Sequence, residues 1–266
     1  MPGEIEIINT GNELLDGRVL NTNARWIARS CSRMGLRVRR ITVVGDDVGD
    51  ISAALREALG RRPSLVIITG GLGPTPDDLT ARAIAEALGR ELVLNEEALE
   101  MVRRAYGGEE LTPARRKMAL LPEGARPLEN PIGAAPGIYV QHEGVKMIAL
   151  PGVPNEMEAM FKAHVEPLLA ELAKGLYRFE ARFLAFGVRE SDIADLLEEI
   201  SEKHPDVYVK THPRVEDGRY YLEIYVSTVA SSAQEARGRM ELVIMELSEH
   251  ISGFGGSMIP HRPGEP

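Results

Sequence analysis

Residues 65–80 read Leu-Val-Ile-Ile-Thr-Gly-Gly-Leu-Gly-Pro-Thr-Pro-Asp-Asp-Leu-Thr and say more about this chain than any other stretch. A short apolar, β-branched run ends in a glycine-rich loop, and a helical pattern begins directly after Asp77 and Asp78. Glycine lets a backbone approach a ligand closely, and a helix start presents unpaired N–H groups and a partial positive charge. The segment therefore predicts a strand, a phosphate-binding loop and a helix in succession.

The two adjacent carboxylates at the end of this loop add a second expectation. Asp77 and Asp78 would repel a phosphate, so the loop also predicts a place for Mg²⁺ or a similar hard cation. The alternative interpretation is structural, with Gly70, Gly71 and Gly73 forming a tight turn and one aspartate capping the helix. The loop matches neither the Walker motif nor the dinucleotide-binding fingerprint, so both interpretations stay open at this point.

The composition argues against several classes of protein. The 266-residue chain is 44% hydrophobic, which is enough for a full core, and no apolar run approaches the roughly 20 residues of a membrane span. The net charge of −9 offers no basic footprint for nucleic acid. The lone Cys31 rules out a disulfide framework, and no export leader follows Met1. We therefore expect a cytoplasmic protein that has neither nucleic acid nor a membrane as its partner.

Residues 1–174 are predicted to form one α/β domain. Strand-like and helix-like segments alternate there, which is typical of a three-layer fold with a mainly parallel sheet and helices on both faces. The predicted strands are residues 4–10, 36–44, 65–69, 138–141 and 145–150, the last two forming a hairpin. The predicted helices are residues 22–34, 48–59, 79–88, 95–106, 113–121 and 155–174.

Residues 175–266 are predicted to form a second, small α+β module in the order βαββα. Strands are predicted at 179–187, 207–211 and 220–228, and helices after a Ser191 cap and over 232–251. No motif in this module carries recognisable chemistry. Packing or dimerisation is therefore favoured over catalysis as its role.

Several other turns after predicted strands carry small or polar residues. They are Gly11–Leu15 with Asn21–Asn23, Gly45–Asp47, Asn130–Gly137 and Leu150–Met157. Taken singly, each has a structural interpretation as a helix cap or an ordinary turn. Loops that follow parallel strands gather at one edge of the sheet, however, and ligands bind there. The sequence thus predicts a single site built from several loops.

At these residues the chain resembles a known family. Residues Gly11–Asn23, Thr69–Thr80, Gly133–Gly137 and Leu150–Met157 closely resemble the amino-terminal domain of the CinA (competence/damage-inducible protein) family, within the molybdopterin-binding superfamily. The resemblance spans about residues 4–172, and the second module resembles the small middle domain of CinA. The nicotinamide-nucleotide amidase domain usual in that family has no counterpart in the 266 residues, so we do not expect amidase activity.

The resemblance implies metal-dependent cleavage of ADP-ribose to AMP and ribose 5-phosphate, by a homodimer that uses Mg²⁺, Mn²⁺ or Co²⁺. By the superfamily's pattern, Asp78 matches an essential acid and Asp46 a second one. Two positions depart from that pattern. Asn12 stands where the family often has Asp, and Ala134 where it usually has Thr. The first departure removes one possible metal ligand, and the second removes a hydroxyl.

These implications assign a role to each candidate residue. Asp78 is the expected metal ligand, Asp46 a second ligand or the base, and Lys117 the nearest mobile positive charge. The glycine N–H groups are expected to hold the phosphates. The expected substrate-binding residues are Gly70, Gly71, Gly73, Thr75, Glu13, Asn21, Asn23, Gly133, Pro151, Gly152 and Glu156, with Glu13 also a third candidate for the metal.

Two rival functions use the same loop. In the first, the domain binds or adenylates molybdopterin, which also ends in a phosphate. In the second, it is a nucleotide sensor without turnover, an alternative that the missing acid at Asn12 favours.

Overall fold

The computed structural model describes residues 3–261 and divides into two compact units, Met1–Lys174 and Gly175–Pro266. The expected absence of a leader at Met1 and the outer ends of both predicted domains lie outside the described residues. None of the helices in residues 3–261 combines the length and the apolar composition that a membrane span requires.

A six-stranded sheet in the order β2-β1-β3-β8-β7-β6 forms the centre of the first unit. Its strands are β1 (Glu4–Thr10), β2 (Arg37–Val44), β3 (Leu65–Thr69), β6 (Arg126–Leu128), β7 (Gly137–His142) and β8 (Val145–Leu150). The helices are α1 (Asn12–Leu15), α2 (Thr22–Arg33), α3 (Val48–Gly60), α4 (Thr80–Leu88), α5 (Glu96–Ala105), α6 (Pro113–Lys117), α7 (Pro154–Met160) and α8 (Glu166–Leu172).

The sheet is mixed, with a parallel core and an antiparallel edge. Strand β1 pairs in parallel with β2 and β3, and β3 pairs in parallel with β8. Strands β8, β7 and β6 then continue antiparallel, because the turn at Glu143–Gly144 is far too short for the crossover that a parallel pair requires. The predicted α/β class and the hairpin are confirmed.

Strand β3 shows why helices cover both faces of this sheet. All five of its residues are buried. Val66 and Ile68 point to the face where Leu55 of α3 and Ile84 of α4 pack, while Ile67 is fully buried on the opposite face. A strand buried on both sides reads as a continuous apolar run, as residues 65–69 do.

Two predicted helices differ from the observed elements. The helix predicted over 113–121 ends at Lys117, and β5 (Leu120–Pro122) pairs antiparallel with β4 (Leu92–Leu94). The helix predicted over 155–174 contains one π-helical turn, Phe161–Val165, between α7 and α8. This turn ends two residues before Pro167, which has no N–H to donate to the preceding turn.

The second unit is a four-stranded antiparallel sheet in the order β10-β11-β9-β12, packed with two helices. Its elements are β9 (Tyr177–Phe186), a 3₁₀ turn (Glu190–Ile193), α9 (Ala194–Lys203), β10 (Val207–Glu216), β11 (Arg219–Ala230), α10 (Ala233–Gly253) and β12 (Ser257–Pro260). Strand β12 was not predicted. The prediction that Ser191 caps a helix is wrong, because the Asp192 carboxylate accepts the Arg189 N–H (2.8 Å) and Ser191 lies inside the 3₁₀ turn.

Candidate ligand-binding site

A cavity of about 550 Å³ lies at the carboxyl ends of the parallel strands of the first unit. Its walls come mainly from the loops after β1, β2, β3 and β8, which are neighbouring strands in the sheet. The residues that line it are Thr10, Gly11, Glu13, Asp46, Gly70, Gly71, Leu72, Gly73, Pro74, Asp77, Asp78, Tyr106, Met118, Ala134, Ala135, Pro151, Gly152, Val153 and Glu156. We call it the main cavity.

The glycine loop, residues 70–74, requires glycine for steric reasons. Gly70 and Gly71 have φ angles of 102° and 64°, which other residues rarely adopt. A Cβ on Gly70 would lie 2.6 Å from the carbonyl oxygen of Thr10, and one on Gly71 would lie 2.5 Å from the hydroxyl of Thr80. That hydroxyl donates to the carbonyl of Gly70 (2.8 Å) and so holds the loop against the start of α4.

The N–H groups of this loop are not equivalent. Gly70 N–H donates to the carbonyl of Leu150 (3.0 Å), so the expectation that it binds phosphate is wrong. Among the described residues, the N–H groups of Gly71 and Gly73 have no hydrogen-bond acceptor. These two groups are therefore free to bind an anion, as a backbone nest does.

Asp78 does not cap the following helix. Its carboxylate accepts the N–H of Thr75 (2.8 Å) and the Thr75 hydroxyl (2.6 Å), while α4 begins after Leu79 without a side-chain cap. The same carboxylate lies over the glycine loop, where a Cβ on Gly73 would come within 2.7 Å of it. The purely structural interpretation of Asp77 and Asp78 as cap residues is therefore wrong, and both line the main cavity.

Thr75 and Lys117 support the loop from outside the main cavity. The single hydrogen of the Thr75 hydroxyl is shared between the carboxylates of Asp77 and Asp78, and the ammonium group of Lys117 donates to the Thr75 carbonyl. The Thr75 bond, with a smaller contribution from Lys117, lowers the pKa of Asp77. Neither residue lines the main cavity, so here they hold the acidic turn in place.

Asp46 is tied to the first loop through Asn12. The Asp46 carboxylate accepts the Asn12 N–H (2.9 Å), and the Asp46 N–H donates to the Asn12 side-chain carbonyl (3.3 Å). Burial raises the pKa of Asp46, the Asn12 bond opposes this, and the charges of Glu13, Asp77 and Asp78 raise it further. The residue that departs from the family pattern thus orients the second expected acid.

Two glutamates complete the acidic wall. The Glu13 carboxylate folds over Gly11, where a Cβ would lie 2.7 Å from its oxygen. The Glu156 carboxylate accepts the side-chain amide of Asn130 (2.7 Å) and occupies the space that a Cβ on Gly133 would need. Gly133 lies behind Glu156, lines a neighbouring cavity and does not face the main one.

Asn21 and Asn23 also lie outside the main cavity. Asn21 caps α2 by accepting the Ala24 N–H (3.0 Å) and donates to the side chain of Asn9 (3.0 Å). Asn23 is buried and donates to the carbonyl of Gly152 (2.8 Å). Pro151 and Gly152, by contrast, line the main cavity directly.

The sequence reasoning missed three residues of the cavity wall, Thr10, Tyr106 and Met118. Thr10 adjoins the motif that begins at Gly11 and could have been included on that ground. Tyr106 and Met118 come from the segments around α5 and α6, whose position against the glycine loop no sequence pattern reveals. Together the three supply apolar and hydroxyl surface to a cavity whose charged side chains are all acidic.

The main cavity carries strong negative charge. Five carboxylates line it, and among the described lining residues there is no Lys, Arg or His. No group of three or more His, Cys, Asp or Glu side chains in residues 3–261 lies close enough together to hold a metal ion by itself. Such a site suits Mg²⁺, which proteins commonly hold through one or two carboxylates with the ligand's phosphate and water completing the shell.

An apolar slot of about 280 Å³ opens on the other side of the glycine loop. Leu79, Leu121 and Ile138 form its floor, and Arg82 and Lys117 are also among its lining residues. It shares Leu72 and Met118 with the main cavity, among other residues. A flat ring attached to a bound phosphate would find both apolar surface and cationic groups there.

Comparison with known proteins shows which family the first unit matches. Residues 6–171 match the family model described as "Probable molybdopterin binding domain". The chain belongs to this family. The resemblance to the CinA domain is likewise confirmed, because the crystal structure of the protein CinA of unknown function from Thermoplasma acidophilum is 46% identical, with a TM-score of 0.59. That match covers 62% of this chain and 98% of the other.

Two further relatives match this chain across both units. A protein of Pyrobaculum aerophilum is 50% identical over 254 residues, which cover 94% of each chain. A protein of Aeropyrum pernix is 46% identical over 255 residues, covering 95% of each. The molybdopterin-binding domain is thus found together with the second unit in these relatives.

Proposed function

We propose that the first unit binds a phosphorylated pterin of the molybdopterin class together with a divalent cation. The observation that carries this proposal is the pair of unpaired N–H groups, on Gly71 and Gly73, beside an acidic wall. Family membership supports the pterin as the ligand. This is the function that the first of the two rival interpretations describes.

Each part of the cavity has a role in this proposal. The N–H groups of Gly71 and Gly73 bind the phosphate, and the apolar slot beside the loop accepts a flat ring. Asp46 and Asp78 hold Mg²⁺, Mn²⁺ or Co²⁺, and the donor set of hard carboxylate oxygens fits such an ion. When bound, the cation neutralises the charge between carboxylates and phosphate.

Calorimetric titration with hydroxymethylpterin phosphate tests the proposal. With Mg²⁺ present, we expect this ligand to bind more tightly than unphosphorylated hydroxymethylpterin, because the phosphate contacts the glycine loop. Pterin fluorescence released from the freshly purified protein would support the same ligand class. Failure of the phosphorylated pterin to bind over a panel of Mg²⁺, Mn²⁺ and Co²⁺ would overturn the proposal.

A second candidate function is hydrolysis of ADP-ribose or a similar nucleoside diphosphate derivative, which the environment of Asp46 favours. A carboxylate with a raised pKa beside a phosphate-binding loop suits a general base. In this reaction water adds to one phosphorus, the phosphoanhydride bond breaks, and Asp46 accepts the water's proton, giving AMP and ribose 5-phosphate. Chromatographic detection of AMP decides this candidate, and binding of ADP-ribose without AMP formation would instead favour the sensor.

A further inference from the structure

The apolar slot beside the glycine loop offers few polar side chains to an occupant. Among the described residues that line it, the charged or polar ones are Asp78, Arg82 and Lys117, and the others are apolar or glycine. In a mostly apolar site, a small number of polar groups fixes the orientation of the ligand and selects it. The chemistry of these three side chains therefore decides which flat ring the slot prefers.

Two of the three side chains already have a role at the glycine loop. The Asp78 carboxylate accepts the N–H of Thr75 and shares the Thr75 hydroxyl with Asp77, and in the proposed function it also holds the cation. The ammonium group of Lys117 donates to the carbonyl of Thr75. The guanidinium group of Arg82 is the one that remains for an occupant of the slot.

Arg82 lies in the first turn of α4, is exposed and, in the described part of the chain, forms no side-chain hydrogen bond or ion pair. Glu86, one helical turn further on, is the partner that the spacing favours. Its carboxylate instead accepts the Ser52 hydroxyl (3.1 Å) and pairs with Arg56 (3.3 Å). Arg82 therefore presents a free planar fork of donors beside the slot.

We infer that Arg82 binds a ring edge on which a carbonyl oxygen and a ring nitrogen lie side by side as hydrogen-bond acceptors. This inference rests on the proposed function for the positions of the phosphate and the ring. An arginine fork binds the O6 and N7 atoms of guanine in this way. The C4 carbonyl oxygen and the N5 atom of an oxidised pterin form the same pair of acceptors.

Adenine presents a different edge to such a fork. Its amino group, which is a donor, stands where guanine has its carbonyl oxygen. One N–H group of Arg82 would then face another donor and lose its hydrogen bond. Arg82 therefore favours a pterin or guanine ring over the adenine ring of the second candidate ligand.

Two pteridines that differ in one functional group test the inference. They are hydroxymethylpterin phosphate and its analogue in which an amino group replaces the C4 carbonyl oxygen, so that phosphate and ring shape are the same. Calorimetric titration with Mg²⁺ present compares them in the wild-type protein, Arg82→Met and Arg82→Lys. Arg116→Met is the matched control, because Arg116 is also exposed and precedes Lys117 but does not line the slot.

We expect the wild-type protein to bind hydroxymethylpterin phosphate roughly tenfold more tightly than the amino analogue. Arg82→Met should remove this preference, and Arg116→Met should keep it in full. Arg82→Lys should keep only part of it, because an ammonium group lacks the planar fork. The inference is wrong if the wild-type protein binds the amino analogue equally well or better, or if the preference survives Arg82→Met.

Failure of the proposed function has a different signature. If unphosphorylated hydroxymethylpterin binds as tightly as its phosphate and Arg82→Met still removes the preference, the role of Arg82 stands and the phosphate site is wrong. If GMP binds more tightly than the pterin and depends on Arg82, the role of Arg82 stands and the ligand is a guanine nucleotide. If the phosphate strengthens binding but the preference is absent, only the inference is wrong. If neither the pteridines nor GMP bind, both are wrong.

Discussion

At the scale of single residues, opposing influences act on the pKa of Asp46, and the neighbouring sequence reveals only some of them. The Asn12 N–H stabilises its charged form, whereas burial and three neighbouring acids destabilise it, and the result is a raised pKa. The sequence placed Asp46 in a turn after β2. It could not show that residues from two other loops, after β1 and after β3, would come near, because that proximity depends on the strand order of the sheet.

Replacing Asp46 by Asn should stabilise the metal-free protein at pH 7. A carboxylate whose pKa is raised on folding favours the protonated folded state, so its charge increasingly destabilises the fold as pH rises from the ordinary value of 3.8 through the raised pKa. The amide removes this charge and can still accept the Asn12 N–H. We expect a higher melting temperature for the variant at pH 7, with the difference vanishing below about pH 4.

Addition of Mg²⁺ provides the control for this substitution. The cation should raise the melting temperature of the wild-type protein and have little effect on Asp46→Asn, since the variant lacks one ligand. A variant that melts below the wild type at pH 7 without metal would contradict the account of Asp46.

Asp78→Asn should weaken cation-dependent binding far more than Asp77→Asn. Asp78 is only partly exposed and lies over Gly73, whereas Asp77 is exposed and close to the positive charge of Lys117. We expect a loss of ligand affinity of tenfold or more for Asp78→Asn, because a hard cation needs the negative charge. Folding stability should fall by about 1 kcal/mol or less, since the amide carbonyl can still accept from Thr75.

Titration of the two variants side by side checks this prediction. Equal affinities in Asp78→Asn and wild type, together with a large loss in Asp77→Asn, would mean that the assignment is off by one residue. If neither substitution affects binding, the acidic pair has no part in the site.

At the scale of elements, the sequence predicted regular segments better than their ends. Residues 65–69 form β3 with the predicted bounds, because a continuous β-branched run bounded by glycine has few alternatives. The helix predicted over 113–121 was too long, since Leu120–Pro122 pairs with a strand almost 30 residues earlier. Such long-range pairing leaves no local signal in the sequence.

A buried ion pair joins β1 to the end of α3. The Glu6 carboxylate, 1% exposed, receives two hydrogen bonds of 2.7 Å from the guanidinium group of Arg61. Arg61→Met should leave this carboxylate buried without a partner and destabilise the first unit by about 3–5 kcal/mol. Chemical denaturation measures the loss.

The double variant Glu6→Gln, Arg61→Met is the control for the ion pair. It removes the buried charge as well as its partner, so it should regain a substantial part of the lost stability. Equal stability of Arg61→Met and the wild-type protein would show that the pair contributes nothing.

At the scale of the whole molecule, the first unit should fold by itself. The alternating strands and helices of the first unit end before Gly175. The hydrophobic core around Val66, Ile84 and Leu121 consists only of residues from this unit. We expect the fragment 1–174 to be soluble, to give an α/β circular dichroism spectrum and to unfold cooperatively. An unfolded fragment would mean that the two units share a core.

The family could be identified from the sequence, whereas the function of the second unit could not. Four ordered motifs in the first unit point to the CinA and molybdopterin-binding families, and comparison confirms both. In the second unit, apolar and polar residues alternate along β11, and the apolar residues Leu222, Ile224 and Val226 lie in the core. This pattern predicts how the strand packs but not what the unit does. Homodimer formation stays a prediction, which sedimentation equilibrium would test.

The central claim is that a divalent cation links Asp46 and Asp78 to the phosphate of the ligand. Calorimetric titration of hydroxymethylpterin phosphate, with Mg²⁺ and again with EDTA, tests it most directly in the wild-type protein and in the double variant Asp46→Asn, Asp78→Asn. We predict at least tenfold tighter binding with Mg²⁺ in the wild type, and no effect of Mg²⁺ in the double variant. Binding of equal strength in EDTA and Mg²⁺ would contradict the claim.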